Sequence, residues 1–228
     1  MDSVRAGLKT LPDDKRAQFA AEVQGFVGQE ATHRRIHALF NGHLQNQGYN
    51  NVLERRAAKR MRDNAHREVF IHVGATAATE HLTAIFAEWM FRHPEALQGA
   101  EPRLQTLWMW HASEEAEHCS TAFDVYKALG GTEQWRRRLL RIITTLFAMD
   151  ITRQTIRNLW HDGSLFQWST WKSAATLLFG KDGMVRGNAA AWRAYKAPTF
   201  HPRQQDMSRA VQWLQDNNSQ FTVVGQVA

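Results

Sequence analysis

Two short stretches each set a carboxylate and an imidazole three positions apart: Glu30 and His33 in "FVGQEATHRRIHALFN", Glu115 and His118 in "LWMWHASEEAEHCSTAFDVY". On a helix such a step brings both side chains to one face. An acid and an imidazole so placed can hold a metal ion, exchange a proton or bond to each other.

Helical phase decides which of these groups point inward. Measured from His111, Glu115 lies at about +40° and His118 at about −20°. Leu104, Leu107, Ala122 and Val125 fall within about 40° of the same direction. This stripe is therefore apolar at both ends and polar in its middle. Glu117 falls off it and reads as solvent-facing. Glu114, at about −60°, sits on its border and is placed to orient His111 or His118.

The preceding helix repeats the pattern, with Phe19, Val23, Phe26, Glu30, His33 and His37 on one face and Leu44 continuing it. A third carboxylate, Glu80, aligns with Val69, Val73, Thr76, Ala84, Ala87 and Phe91. Its neighbours Thr76, Ala77, Thr83 and Ala84 are small, which leaves room between helices. Burying a bare carboxylate is costly, so buried charges are paired or bind metal. A pair of metal ions would compensate this set in the manner of carboxylate-bridged helical bundles.

The expected ligands are Glu30, His33, Glu80, Glu115 and His118. His111 is either a further imidazole on one ion or a group that orients a ligand. His37 reads as a lining or orienting residue. Trp108, Phe26 and Phe91 read as pocket wall or core packing, and His72 and His81 as packing histidines. A metal-free alternative, in which the acids and histidines form a buried hydrogen-bond network, stays open.

The elements that must position these groups are helices. Five prolines and fourteen glycines interrupt 228 residues, and β-branched alternation is scarce, so the fold class is all-α. A short helix over residues 2–10 precedes one from about 13 to 47 and a long segment over 52–93 with a bend at Gly74. The next helices run from Pro102 to "LGG" and over 133–161. Shorter helices follow over 164–179, 184–196 and 203–216. The organisation expected is a ferritin-like bundle over 1–162, a helical C-terminal extension over 163–218, and a flexible tail over 219–228.

Cys119 is the one cysteine, so no intrachain disulfide forms, and it reads as a small buried hydrophobe. No secretory h-region opens the chain, which makes a cytoplasmic setting the expectation. The formal charge is +6, with basic runs "ERRAAKRMR" and "WRRRLLR". No nucleic-acid motif accompanies them, so nucleic acid is not an expected partner. A weak contact with an anionic membrane surface is a second reading, with Leu139–Met149 lying in the interface and Trp135 and Trp160 as anchors.

At these residues the sequence resembles the bacterial family of predicted metal-dependent hydrolases, through the two stretches quoted above, "ATEHLTAIFAEWMF" and "AYKAPTFHP". The resemblance covers most of residues 2–205 and implies a metal site more than a particular reaction. The spacing His111, Glu115, His118 is also similar to the third-histidine pattern of di-iron arylamine N-oxygenases. That likeness, confined to the metal-site helices, implies Glu30, His33, Glu80, Glu115 and His118 as ligands with His111 as the extra imidazole. The family pattern further implies a glutamate in a "P-x-G-E"-like segment upstream of Asp2-Ser3-Val4-Arg5, a segment this sequence does not contain.

The function expected is a dinuclear metal enzyme, with two iron ions and O2-dependent oxidation of a small organic substrate, supplied by an electron donor. Mn or Zn are the alternative metals. Metal-assisted hydrolysis at the same site is the alternative reaction, and a non-catalytic metal-binding module the alternative class. A homodimer is the default assembly.

Overall fold

The computed structural model describes residues 1–117 and 119–220, apart from the side chain of Glu117. His118 and residues 221–228 of the expected tail lie outside the described residues. The fold is all-α, with no strand among the described residues. In chain order the helices are α1 (Asp2–Thr10), α2 (Asp13–Asn46), α3 (Val52–Asp63), α4 (Val69–Arg92), α5 (Pro102–Glu117) and α6 (Thr121–Ala128). They are followed by α7 (Glu133–His161), α8 (Trp168–Phe179), α9 (Met184–Gly187), α10 (Ala189–Ala194) and α11 (Ser208–Asn217).

Helix α4 is the axis of the molecule. Its apolar residues surround the helix instead of forming a stripe, which marks a helix buried on all sides. Val73, Ala77, Ala78, Leu82, Ala84 and Ile85 are all in the core. Helices α1, α5, α6 and α7 pack around it, and α10 and α11 cover what remains. By length and composition α4 could also cross a bilayer, but its apolar surface is consumed by these neighbours. Helix α2 packs on α1 and α6, and α3 lies along α7.

The long segment expected over 52–93 is two helices. Asn64 ends α3 by donating its side-chain amide to the Arg60 carbonyl at 2.9 Å, a competition with the helical bond that short polar side chains enter readily. Helix α4 runs through Gly74 without a break. A Cβ there would lie 2.7 Å from both Leu139 and Tyr126, so the glycine lets α6 and α7 approach the central helix. The helix expected from Pro102 to "LGG" also divides. Cys119 and Ser120 form a turn, and α6 restarts at Thr121, whose hydroxyl donates to Glu22 at 3.1 Å.

One basic run hides a structural arginine. Arg136, read as part of a basic run, is 1% exposed. It donates to the Tyr195 carbonyl, to the Ala197 carbonyl at 2.7 Å, and to Glu133. Its guanidinium also lies over the rings of Phe123, Tyr195 and Phe200. The "AYKAPTFHP" segment is thereby clamped onto α6 and α7. In the other basic run Arg60 pairs with the buried Asp150 of α7. His81, off the Glu80 face as expected, packs 4.5 Å from Tyr195.

Truncating Arg136 removes bonds from the buried Tyr195 carbonyl and the partly buried Ala197 carbonyl at once. Arg136→Ala should lower stability by about 3 kcal/mol or more, while Arg141→Ala, on the exposed side, should stay within about 0.5 kcal/mol. Urea unfolding of the two variants compares them directly, and equal stability would contradict the clamp.

Candidate metal centre

The site lies where α2, α4 and α5 meet. On α5 the deepest residues are the small Ala112, Ser113 and Ala116, which leaves His111 and Glu115 on the flank of that face instead of at its centre. From α2, His33 is buried and meets them. Its Nδ1 lies 3.4 Å from Glu115 Oε1, and His111 Nε2 lies 3.6 Å from the same oxygen. The two imidazoles meet edge to face, centroids 4.2 Å apart. Potential ligand atoms of His33, His111 and Glu115 all fall within 4.8 Å of one another.

These distances suit a cation. Ligands held about 2.1 Å from one ion at tetrahedral angles stand about 3.4 Å apart. The hydrogen-bond inventory agrees. Both ring nitrogens of His33 are buried and neither is aligned for a hydrogen bond, although Glu115 and Glu30, at 3.4 and 3.5 Å, are close. A buried imidazole with carboxylates beside it but no satisfied bond is poised for a different occupant.

The electrostatics have the same origin. Burial alone would lower the His33 pKa, but Glu115 and Glu30 outweigh it and raise it to about 9. His111 goes the other way, down to about 4, through burial and the charge on His33. Burial, then Glu115 and Glu30, push Glu80 well above the usual carboxylate range. For Glu115 burial acts upward, yet His33, Thr83 and His111 prevail and hold it low. A single proton on His33 thus does the balancing that a cation would do better.

Of the expected ligands, the structure gathers His33, Glu115 and His111 most tightly. Glu30 flanks His33, and Glu80 is buried on α4 within electrostatic range of Glu115 and Glu30. His118 lies outside the described residues. Glu114 is half-buried on α5 and is not among the three clustered donors. His37 borders the site, its ring 5.0 Å from that of His111. Trp108 stands 5.8 Å from both His111 and Phe40 and 5.9 Å from His37, forming an aromatic wall. Phe26 belongs to the core, and Phe91 is half-buried. Trp110, 5.7 Å from His33, carries no signal in the sequence, and Thr83, which reads there only as a small neighbour of Glu80, bonds to Glu115. Thr83 stands at the i+3 step from Glu80, which would have marked it. Cys119 is buried, and burial followed by the Glu80 charge pushes its thiol up to about 11, which leaves it unreactive.

A family model described as predicted metal-dependent hydrolase matches residues 1–206. No curated protein and no solved structure matches the chain.

The imidazole shifts set a pH signature for the metal-free protein. A His33 raised above its ordinary 6.5 adds stability that is complete below pH 6.5 and lost as pH climbs through about 9. A His111 lowered to about 4 costs stability as pH falls from 6.5 towards that value. Denaturant unfolding should therefore be most resisted near pH 6.5, and His33→Gln should remove much of the loss on the alkaline side. Metal binding at pH 7.5 should displace protons from both His33 and Glu80, up to about two in all, measured by calorimetry in buffers of different ionisation enthalpy. Binding without proton release would contradict the protonated His33.

Proposed function

The chain belongs to the predicted metal-dependent hydrolase family, and on that premise we propose that it is a metal-dependent enzyme acting on a small organic molecule. The observation that carries this reading is the convergence of His33, His111 and Glu115 on one cation-sized position. Two further carboxylates, Glu30 and Glu80, give the neighbourhood more negative charge than one divalent ion needs. This favours a dinuclear centre in which they complete the second ion's coordination. Oxygen and nitrogen donors without a thiolate suit iron, with manganese or zinc as alternatives.

The reaction we favour is oxidation by O2. Bound at this site, a redox-active pair would supply the open positions and electrons that such chemistry needs. For insertion of one oxygen atom, two electrons from an external donor and two protons accompany the second atom out as water.

The chain's own residues bind, orient and exclude. Trp108 and Phe40, packed edge to face, present an apolar wall that suits a small substrate with an apolar face and keeps bulk water away. His37 is lowered by burial and then by the charge on His33, so its ring is neutral at neutral pH and able to accept a proton beside His111. Glu80 supplies a buried carboxyl that gives up its proton when positive charge arrives.

Hydrolysis is the second reading, favoured by the family description and by the two-histidine, one-carboxylate set that hydrolytic zinc sites also use. Elemental analysis and oxygen consumption separate the two. Aerobically purified protein should carry about two iron or manganese ions per chain, and Glu115→Ala should lose most of them. The reduced iron form should consume O2 on rapid mixing. Zinc alone, with no O2 uptake, would reject the oxidative reading in favour of the hydrolytic one.

A further inference from the structure

Away from the metal centre, α7, the turn after it and α8 leave large apolar side chains uncovered. On α7, Ile142, Met149, Ile156 and Trp160 recur at steps of seven and four residues, which aligns them along one exposed stripe. The stripe leads into the turn, where Trp160 packs on Phe166 with centroids 6.1 Å apart and Trp171 donates to the Leu165 carbonyl at 2.7 Å. Helix α8 then places Trp168, Trp171, Ala175, Leu178 and Phe179 within about 80° of one direction, with Ser169, Ser173 and Thr176 away from it. No residue of α8 is buried. Trp160 is 67% exposed, Phe166 84%, Trp168 79% and Phe179 60%.

Single exposed hydrophobes are ordinary, but a row of tryptophans and phenylalanines ordered by an internal hydrogen bond marks a surface with an occupant. Charge identifies its kind. Between residues 153 and 196 the chain carries seven lysines and arginines against two aspartates. One of those aspartates, Asp162, accepts a bond from Tyr49. Arg153 lies in the α7 stripe, Arg157 beside it, and Lys172 flanks Trp168 on α8; all three are exposed. Paired with a second copy, this face would bring like charges together across a desolvated seam. Phospholipid headgroups of negative charge supply the missing counter-charges, while long basic side chains let the aromatic rings sink below them.

We propose that the end of α7, the turn after it and α8 dock the enzyme on an anionic membrane surface, with Trp160, Phe166, Trp168 and Phe179 entering the interface and Arg153, Arg157 and Lys172 meeting the headgroups. The sequence suggests Leu139–Met149 with Trp135 and Trp160 as anchors; the contact proposed here keeps Trp160 and lies further along the chain. Leu139 and Leu140 are in the core, and Trp135 is half-buried against Phe70 and Arg138.

The test is co-sedimentation of the full chain with phosphatidylcholine vesicles, with and without phosphatidylserine. A Trp168→Ser/Phe179→Ser variant is run beside it, both sites being exposed enough to leave folding intact, as checked by circular dichroism. The wild type should bind the phosphatidylserine vesicles, with binding weakened but not abolished by high salt. The variant should bind at least about tenfold more weakly. Glu115→Ala should bind as the wild type does, so that this result stands apart from the metal reading. Failure of the wild type to sediment with phosphatidylserine vesicles, or equal binding by the variant, would overturn the proposal. So would a lipid-free dimer that the double substitution dissociates, which would give the face to a second copy.

Discussion

Three carboxylates brought into one buried neighbourhood are the constraint on which this molecule turns. Glu30, Glu80 and Glu115 come from three helices, and burial together with the charges of Glu115 and Glu30 disfavours ionisation of Glu80. With only protons available, the compromise is visible: the buried His33 is held charged between Glu115 and Glu30, and Glu80 is driven towards its neutral form. A divalent cation relieves both at once. The site is a set of mutually dependent groups, in which removing one acid changes the protonation of the others.

The rest of the fold supplies the rigidity this requires. The apolar girth of α4 places Glu80 deep in the molecule, and small residues on α5 let that helix pack closely while its polar flank turns to α2. The C-terminal segments close over the central helix and are held by Arg136, whose charge is spread over backbone carbonyls, a carboxylate and three aromatic rings. A second pair, half-buried Arg60 with the buried Asp150, ties α3 to α7. Arginines that count as surface charge by composition therefore serve partly as internal struts.

Much of this was legible in the sequence, and the reasons are specific. The bounds of α1, α2 and α7 followed from prolines, glycines and acidic first turns, signals that act locally. Helical phase brought His33, His111, Glu115, Glu30 and Glu80 to one interior because each interrupts an apolar stripe. Two breaks, after Asp63 and at Cys119–Ser120, were not legible, since neither contains glycine or proline; at the first a side-chain bond from Asn64 ends the helix. Arg136 escaped notice for a related reason. Its carbonyl partners lie about sixty residues away, and only tertiary packing distinguishes it from the exposed arginines around it. The precise facing of α5 was displaced because the alanines that mark its buried side carry little hydrophobic signal.

The central claim is that the α2–α4–α5 junction is built around metal, and anomalous diffraction tests it most directly. Crystals of protein loaded with iron, measured on either side of the iron edge, should show density bonded at about 2.0–2.2 Å to His33, His111 and Glu115, with a second ion approached by Glu30 or Glu80. A map with no anomalous signal at this junction, its histidines and carboxylates instead closed into a hydrogen-bonded network, would contradict the account.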